Sequence, residues 1–215
     1  MTPPPARGRF IAFEGGEGAG KSTQITRLAD ALTARDTQVV VTREPGGTPG
    51  AEEIRALFVQ GATGRWTVET DVLLVSAARA DHVARLIRPA LDAGKTVLCD
   101  RFIHSTLAYQ GHGKGVPIDT LLALHAFATG DLWPDQVLWL DAPVDVGLAR
   151  STKRAAAQDA ALPQEQRFEQ LSHDYHARVR AGFAALAAAD PRITRIDATA
   201  PLDDVTAAIA AAVLG

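Results

Sequence analysis

Five short apolar runs, mostly separated by longer stretches with helical spacing, organise the 215-residue chain. Most of these runs are continuously apolar, which is typical of strands buried on both faces of a sheet. The predicted strands are Phe10–Glu14, Gln38–Thr42, Thr96–Asp100, Gln136–Asp141 and Arg192–Asp197. The predicted helices are Ser22–Arg35, Ala51–Gln60, Val68–Ala93, Pro117–Gly130, Val144–Arg154, Gln164–Ala189 and Leu202–Val213. This alternation predicts an α/β fold, a five-stranded parallel sheet with helices on both faces.

The sequence contains no internal repeat and no linker that would divide it. We therefore expect one domain over residues 9–215, preceded by a disordered, proline-rich leader at residues 1–8. The segment Ala155–Gln166 is polar and alanine-rich and lies between two helical patterns, so it is either a mobile loop or a plain surface connection. Together with the end of the preceding helix it forms a candidate lid at about residues 150–166.

Composition excludes several classes of protein. A formal net charge of −3 argues against broad nucleic-acid binding, which needs a basic face. Cys99 is the only cysteine, so an internal disulfide and a cysteine-based zinc site are both excluded. The apolar runs fall short of the roughly 18 residues that a membrane span needs, and the N-terminus has no signal-peptide core. A soluble, cytoplasmic protein without membrane contact is expected.

The strongest local signal is a glycine-rich segment between the first strand and the first helix. It matches G-x-x-x-x-G-K-[ST], the P-loop motif, in the context that the motif requires. Its residues are Gly15, Gly16, Glu17, Gly18, Ala19, Gly20, Lys21 and Ser22, with Thr23 next. Glycines let backbone N–H groups surround a phosphate, and the helix N-terminus adds positive potential. Lys21 is expected to bind the β- and γ-phosphates of ATP, and the Ser22 hydroxyl to ligate Mg²⁺.

Charged residues also end two other predicted strands. Arg43 follows the second strand, and Asp100 and Arg101 end the third. Ligands bind at the carboxyl edge of open α/β sheets, so Asp100 is a candidate Mg²⁺ partner and the arginines are candidates for binding phosphate. Each arginine alone could equally form a surface salt bridge.

Taken in order, the motifs closely resemble the thymidylate kinase family over residues 9–214. The matching segments are Phe13–Thr23, Arg43–Thr48, Ala77–Arg79, Asp100–Ser105, Ala108–Gly111, Pro134–Asp135, Leu140–Asp141, Arg167–Glu169 and Ile196–Ala198. The resemblance implies a P-loop fold of the nucleoside-monophosphate kinase type. It also implies phosphorylation of dTMP to dTDP with ATP and Mg²⁺, in dTTP biosynthesis, by a homodimer.

The resemblance further implies roles for individual residues around dTMP. Arg43 and Arg101 would bind its phosphate, and Arg79 would donate to the thymine carbonyl edge. Glu17 would accept a hydrogen bond from the sugar 3′-hydroxyl, while Tyr109 would pack on the sugar and disfavour a 2′-hydroxyl. The remaining acceptor-site residues on this basis are Ser105, Thr106 and Gln110.

The chain departs from many relatives at two positions. Where they carry a P-loop arginine, this chain has Gly18 and Ala19, so the charge has to come from elsewhere. We expect it from the head of the lid, where Arg150 and Arg154 share a helix face and become candidate catalytic residues with Lys21 and Arg101. The alternative is a solvated basic helix end. Val75 stands where some relatives stack a phenylalanine on thymine, and Phe102 is a possible substitute.

Two alternatives to a thymidylate kinase stay open. One is a kinase for another nucleoside monophosphate or a deoxynucleoside, and the other is a nucleotide-dependent regulator without acceptor chemistry. Two further features are expected to carry no chemistry. His173 and His176 are interpreted as surface histidines, and Gly111–Gly115 as a flexible loop near the acceptor.

Overall fold

A parallel sheet forms the centre of the fold. The computed structural model describes residues 7–61, 64–157 and 171–215, apart from the side chains of residues 154–157. The strands are β1 (Phe10–Glu14), β2 (Val39–Arg43), β3 (Thr96–Asp100), β4 (Gln136–Asp141) and β5 (Ile193–Asp197). They pair in the order β2-β3-β1-β4-β5, and every pair is parallel. The predicted five-stranded parallel sheet is confirmed.

Helices cover both faces of the sheet. They are α1 (Lys21–Thr33), α2 (Pro49–Val59), α3 (Val68–His82), α4 (Arg88–Asp92), α5 (Ile103–Thr106), α6 (Ile118–Thr129), α7 (Val144–Ala157), α8 (His173–Ala189) and α9 (Leu202–Leu214). A π-helical turn, Val83–Ile87, joins α3 to α4, so the predicted long helix is one continuous segment with a π turn. In the central strand, Phe10 and Ala12 face one hydrophobic core, and Ile11 and Phe13 face the other.

The segment after β3 differs from the prediction. It forms α5 and continues into a π-helical segment, Leu107–Gly113, so the flexible loop predicted at Gly111–Gly115 is wrong for its first part. Helix α8 packs against this segment so closely that a Cβ on Gly113 would lie 2.7 Å from the ring of Tyr175. The glycines here permit close packing, and π-helical segments are frequent at functional sites.

Two predicted regions lie largely outside the described residues. Residues 1–6 of the leader and 158–166 of the lid are not covered, so the domain boundaries remain predictions. Gly8, at the other end of the leader, donates its N–H to the carbonyl of Leu91 at 2.8 Å. Among the described helices, none is long and apolar enough to cross a membrane.

The strand order places the P-loop at a switch in sheet topology. From β1 the chain passes through β2 and β3 on one side, then crosses to β4 and β5 on the other. Open α/β sheets bind ligands at such a switch, beyond the carboxyl ends of the strands. The loops after β1, β2 and β3 all lie at this edge.

Candidate active site

The P-loop connects β1 to α1 in a conformation that depends on glycine. Gly15, Gly18 and Gly20 have φ values of 138°, 65° and 90°, where residues with a Cβ are disfavoured. Helix α1 begins directly at Lys21. The Lys21 ammonium donates to the carbonyls of Gly15 at 3.2 Å and Gly16 at 3.1 Å, so it lies across the loop. Burial, with the nearby Arg101 charge, lowers the pKa of Lys21.

Ser22 and Asp100, the two candidate metal ligands, lie in contact. The Ser22 hydroxyl donates to Asp100 Oδ2 at 3.1 Å. The other carboxylate oxygen, Asp100 Oδ1, is buried and has no hydrogen-bond partner within the described part of the chain. A buried, unpaired carboxylate oxygen is costly unless a ligand satisfies it. A hydroxyl and a carboxylate are oxygen ligands of the kind that Mg²⁺ binds together with substrate phosphates, so this pair fits the metal.

Arg101 is fixed by several contacts beside the P-loop. Its guanidinium donates to Glu17 Oε1 at 2.8 Å, to the Gly15 carbonyl at 3.0 Å and to the Ser105 hydroxyl at 3.2 Å. It also lies over the Tyr109 ring, 4.9 Å from the centroid. Burial lowers its pKa, but Tyr109 and the surrounding carboxylates outweigh burial and raise the pKa above its usual value. Arg101 is therefore a permanent, positioned cation.

Glu17 lies at the centre of the same cluster. It accepts hydrogen bonds from Arg101 and, at 3.1 Å, from the Tyr109 hydroxyl. Burial raises the pKa of Glu17, but the charges of Arg101 and Lys21 and the Tyr109 hydrogen bond lower it to about 2. The structure thus brings together the residues that the sequence assigned to the sugar and to the phosphate.

Glu14, to which sequence analysis assigned no role, holds the turn that carries Arg101. Arg101 has a left-handed backbone with φ 69°, which costs about 1–2 kcal/mol for a residue with a Cβ. Directly after it, the Phe102 N–H donates to Glu14 Oε1 at 2.8 Å, and the Ser105 hydroxyl donates to Glu14 Oε2 at 2.5 Å. Glu14 is fully buried, and burial raises its pKa to about 7.

Arg43, the second predicted phosphate ligand, is far more exposed. Its guanidinium pairs with Glu52 of α2 at 3.1 Å, and 55% of the arginine side chain is accessible to solvent. Glu52 also accepts the Gly47 N–H at 2.9 Å. Arg43 is adjacent to Asp100 in the sheet register, so the two arginine-bearing strand ends are neighbours.

Arg79 is buried in a polar network between α3, β2 and α5. Its Nε donates to Glu44 at 2.7 Å, and its Nη2 donates to the Thr106 hydroxyl at 2.8 Å. His82 bridges Glu44 at 3.1 Å and Thr42 at 2.7 Å. Burial raises the pKa of Glu44, but Arg79 and His82 lower it below its usual range. The guanidinium plane of Arg79 is thus oriented by protein contacts alone.

The structure limits what stacks on a base near Arg79. Val75 is buried in a cluster with Phe58 and Val59. Phe102 is fully buried, edge-on to Phe10 at 4.9 Å, which argues against it as a stacking partner.

Comparison with known proteins agrees with this geometry. A family model described as thymidylate kinase matches residues 13–209. The chain belongs to the thymidylate kinase family. It is 52% identical over 204 residues to the thymidylate kinase of Caulobacter vibrioides, covering 94% of each protein, and 47% identical over 201 residues to that of Rhizorhabdus wittichii, covering 93% of this chain. It also superimposes on the crystal structure of thymidylate kinase from Ehrlichia chaffeensis, with a TM-score of 0.76, 30% identity and coverage of 97% and 99% of the two chains.

Membership of the thymidylate kinase family confirms the predicted fold and the expectation of an enzyme. Family membership does not assign roles to individual residues of this chain, so these roles have to be argued from the geometry of the site. Of the predicted phosphate-side and sugar-side residues, the structure gathers Glu17, Lys21, Ser22, Asp100 and Arg101 at one point.

The lid arginines of this thymidylate kinase family member are only partly described. Arg150 donates through Nη1 to the carbonyl of Ala198, in the loop after β5, at 2.8 Å. The side chain of Arg154 and residues 158–166 lie outside the described part of the chain. Whether these cations act in catalysis therefore stays a prediction.

The two histidines of α8 differ in environment. His173 is at the surface, as expected, and lies 3.1 Å from Asp145. His176 is buried and lines a small cavity behind the P-loop, beside Gly16 and Glu17, so its interpretation as a surface residue is wrong. The face of α8 that carries His176 is thus buried on the side of the P-loop, a tertiary contact that helical spacing alone does not reveal.

Sequence analysis gave no role to three acidic residues of the site. These are Glu14, Glu44 and Glu52. One signal was present for Glu14, because a carboxylate ending a fully apolar strand has to be paired when buried. Glu44 and Glu52 receive their roles from arginines on other elements, which sequence spacing does not identify.

Proposed function

We propose that this member of the thymidylate kinase family transfers the γ-phosphoryl group of ATP to dTMP, giving dTDP for dTTP synthesis, with Mg²⁺ as the metal. The observation that carries the site assignment is the convergence of Lys21, Arg101 and the Ser22–Asp100 pair at the ends of β1 and β3. Two segments that are about 80 residues apart in sequence, the P-loop and the end of β3, meet there.

The chemistry needs alignment and positive charge more than a base. The attacking oxygen belongs to a phosphate that is already anionic, so a strong general base is unnecessary. Lys21 neutralises charge on the transferring group from the donor side, and Arg101 does so from the acceptor side. Ser22 and Asp100 would hold Mg²⁺, which supplies additional positive charge on the phosphates when bound.

The proposed acceptor-site residues bind different parts of dTMP. Arg101 and Arg43 bind the phosphate, and Glu17 accepts the 3′-hydroxyl. Arg79, oriented by Glu44, directs its remaining donor capacity at the thymine carbonyl edge. Thr106, Gln110 and Ser105 are buried on the helical segment that forms this side of the site.

Tyr109 is placed to exclude a 2′-hydroxyl. Its ring is buried between Arg101 and α8, and its hydroxyl is bound to Glu17. A ribose acceptor would leave a polar group unpaired against this ring, at a cost of about 1–3 kcal/mol.

The lid is proposed to complete the charge around the transferring phosphoryl group. Arg150 and Arg154 are the candidates, because the P-loop itself has glycine and alanine at positions 18 and 19 and supplies no arginine. Arginine-finger cations contribute about 10³–10⁵ in rate where measured.

We propose a cytoplasmic homodimer. Support for a second copy comes from exposed apolar side chains on two adjacent helices, Leu73 of α3 and Phe127 of α6, the latter 89% exposed. Sedimentation of the wild type and of Phe127→Ser tests this. The wild type should have the mass of a dimer and the variant a lower average mass, whereas an unchanged mass would mean that Phe127 lies outside the dimer contact. The single cysteine, Cys99, is buried and free, as in a reducing compartment.

The function is tested by ADP release from ATP with each nucleoside monophosphate and deoxynucleoside offered in turn. We expect dTMP to give the highest kcat/KM and its ribose counterpart to be at least tenfold poorer, with Tyr109→Ala narrowing that ratio. Lys21→Ala should remain folded and lose nearly all turnover. Preference for another acceptor would favour a different kinase, and ADP release that no acceptor stimulates would favour a nucleotide-dependent regulator.

A further inference from the structure

The P-loop and helix α7 touch backbone to backbone. A Cβ placed on Gly18 would overlap the carbonyl oxygen of Gly147 and would come within 3.1 Å of the Ser151 nitrogen. In the reverse direction, a Cβ on Gly147 would overlap the carbonyl oxygen of Glu17. Each glycine therefore allows the other backbone to approach, and the two form a reciprocal contact.

Gly147 is unfavourable on local grounds. It lies in the first turn of α7, where its N–H donates to the Pro143 carbonyl at 3.0 Å. Glycine inside a helix costs about 1 kcal/mol relative to alanine. The residue is buried, and its missing side chain is matched by the Glu17 carbonyl. The close contact with the P-loop thus accounts for a residue that helix propensity disfavours.

The contact also excludes position 18 of the P-loop as the source of a cation for the transferring phosphoryl group. Position 18 has no room for any side chain, because the turn Gly147–Ser151 covers it. Arg150 belongs to this covering turn, and its guanidinium is held by the Ala198 carbonyl. The position of α7 on the loop therefore sets the position of Arg150 relative to any phosphate bound in the loop.

We propose that Gly147 is a positioning residue for phosphoryl transfer: together with Gly18 it seats α7 on the P-loop and so aligns the lid cations with the transferring group. This inference rests on the proposed function of Arg150 and Arg154. Gly147 acts through these arginines and touches no substrate itself.

The test is a double-mutant cycle in which kcat and the KM for dTMP are measured by varying dTMP at saturating ATP. Gly147→Ala adds one methyl group at the contact, and we expect it to lower kcat about 10- to 100-fold with the KM for dTMP changed less than threefold. The midpoint of thermal unfolding should move by only a few degrees, because alanine gains helix propensity while the contact loosens. In an Arg150→Ala/Arg154→Ala background, the same change should lower kcat less than threefold, since residues that act as one unit are non-additive.

Two further variants make the cycle decisive. Ala149→Ser adds one atom on the exposed side of the same helix and should keep wild-type kcat. Gly18→Ala perturbs the contact from the loop side and also strains the P-loop itself at φ 65°. That direct loss is the same in both backgrounds, so the total loss should be smaller when Arg150 and Arg154 are absent, which preserves the test if Gly147→Ala unfolds.

The outcomes separate the two proposals. If the Arg150→Ala/Arg154→Ala variant has wild-type kcat, the role of the arginines is refuted and the inference with it. A background with reduced kcat, in which the glycine variants still cause their full loss, refutes the positioning role of Gly147 alone.

Discussion

Arg43 and Arg101 stand at the ends of neighbouring strands, yet their surroundings differ sharply. The Arg101 side chain is 17% exposed and has three hydrogen-bond acceptors and an aromatic ring around it. The Arg43 side chain is 55% exposed, and the carboxylate with which it pairs, Glu52, is itself 40% exposed. Both arginines are expected to bind the acceptor phosphate, but only Arg101 is already held in a fixed position by the protein.

The difference teaches that fixed position, more than charge, distinguishes a catalytic cation. An exposed ion pair contributes about 0–1 kcal/mol, and its members retain side-chain freedom. A buried cation that is held in place stabilises developing charge without reorganisation during the reaction. The strained backbone at Arg101, held by Glu14, is consistent with a residue placed for function at some cost in stability.

The largest expected effect comes from removing Arg101. Arg101→Ala should lower kcat/KM for dTMP by about 10³-fold or more, because an anchored charge at the transferring phosphate is lost. Arg43→Ala should raise the KM for dTMP about tenfold and change kcat less than threefold, because it removes an exposed phosphate contact. Steady-state kinetics at several dTMP concentrations separates these terms. Equal losses in kcat for the two variants would contradict the comparison.

Sequence reasoning found both arginines but not the difference between them. Their place at strand ends follows from apolar runs that are followed by charged residues. Their burial depends on partners distant in the chain, since Glu17 precedes Arg101 by 84 residues. A single sequence contains no spacing rule for such pairs.

The fold shows the same contrast between features that local sequence predicts and features that depend on distant contacts. Buried parallel strands are continuously apolar, so β1 to β5 were predicted to within one residue at each end. The helical segment Ile103–Gly113 was missed because it is short and contains two glycines, which locally disfavour helix. Packing against Tyr175 and Val179 of α8 stabilises it instead.

A second prediction concerns the residue that holds the Arg101 turn. Glu14→Ala should lower kcat about 10- to 100-fold, because the Phe102 N–H and Ser105 hydroxyl lose their acceptor and the left-handed turn relaxes. Glu14→Gln keeps an oxygen that accepts from the Phe102 N–H, and its amide N–H can donate to the Ser105 hydroxyl oxygen in place of accepting from it, so it should stay within about fivefold of wild type. The comparison of kcat with the thermal midpoint checks this. Loss of stability without loss of kcat would make Glu14 merely structural.

The smallest expected effect is in stability, and it compares the carboxylates that pair with the two arginines. The pKa of Glu17 is lowered from 4.5 to about 2, so its ionised form stabilises the folded protein above pH 4.5, and this contribution is lost as pH falls toward 2. The difference in unfolding free energy between wild type and Glu17→Gln should therefore shrink by roughly 1 kcal/mol between pH 6.5 and 3.5. Glu52→Gln is the matched control, because Glu52 is more exposed and its pairing with Arg43 is screened by solvent. Urea titrations at both pH values should show that the difference in unfolding free energy between wild type and Glu52→Gln changes little with pH. If the free-energy difference for Glu52→Gln shrinks with pH as much as that for Glu17→Gln, the two arginines are held equally by their carboxylates, which would contradict the contrast seen in the structure.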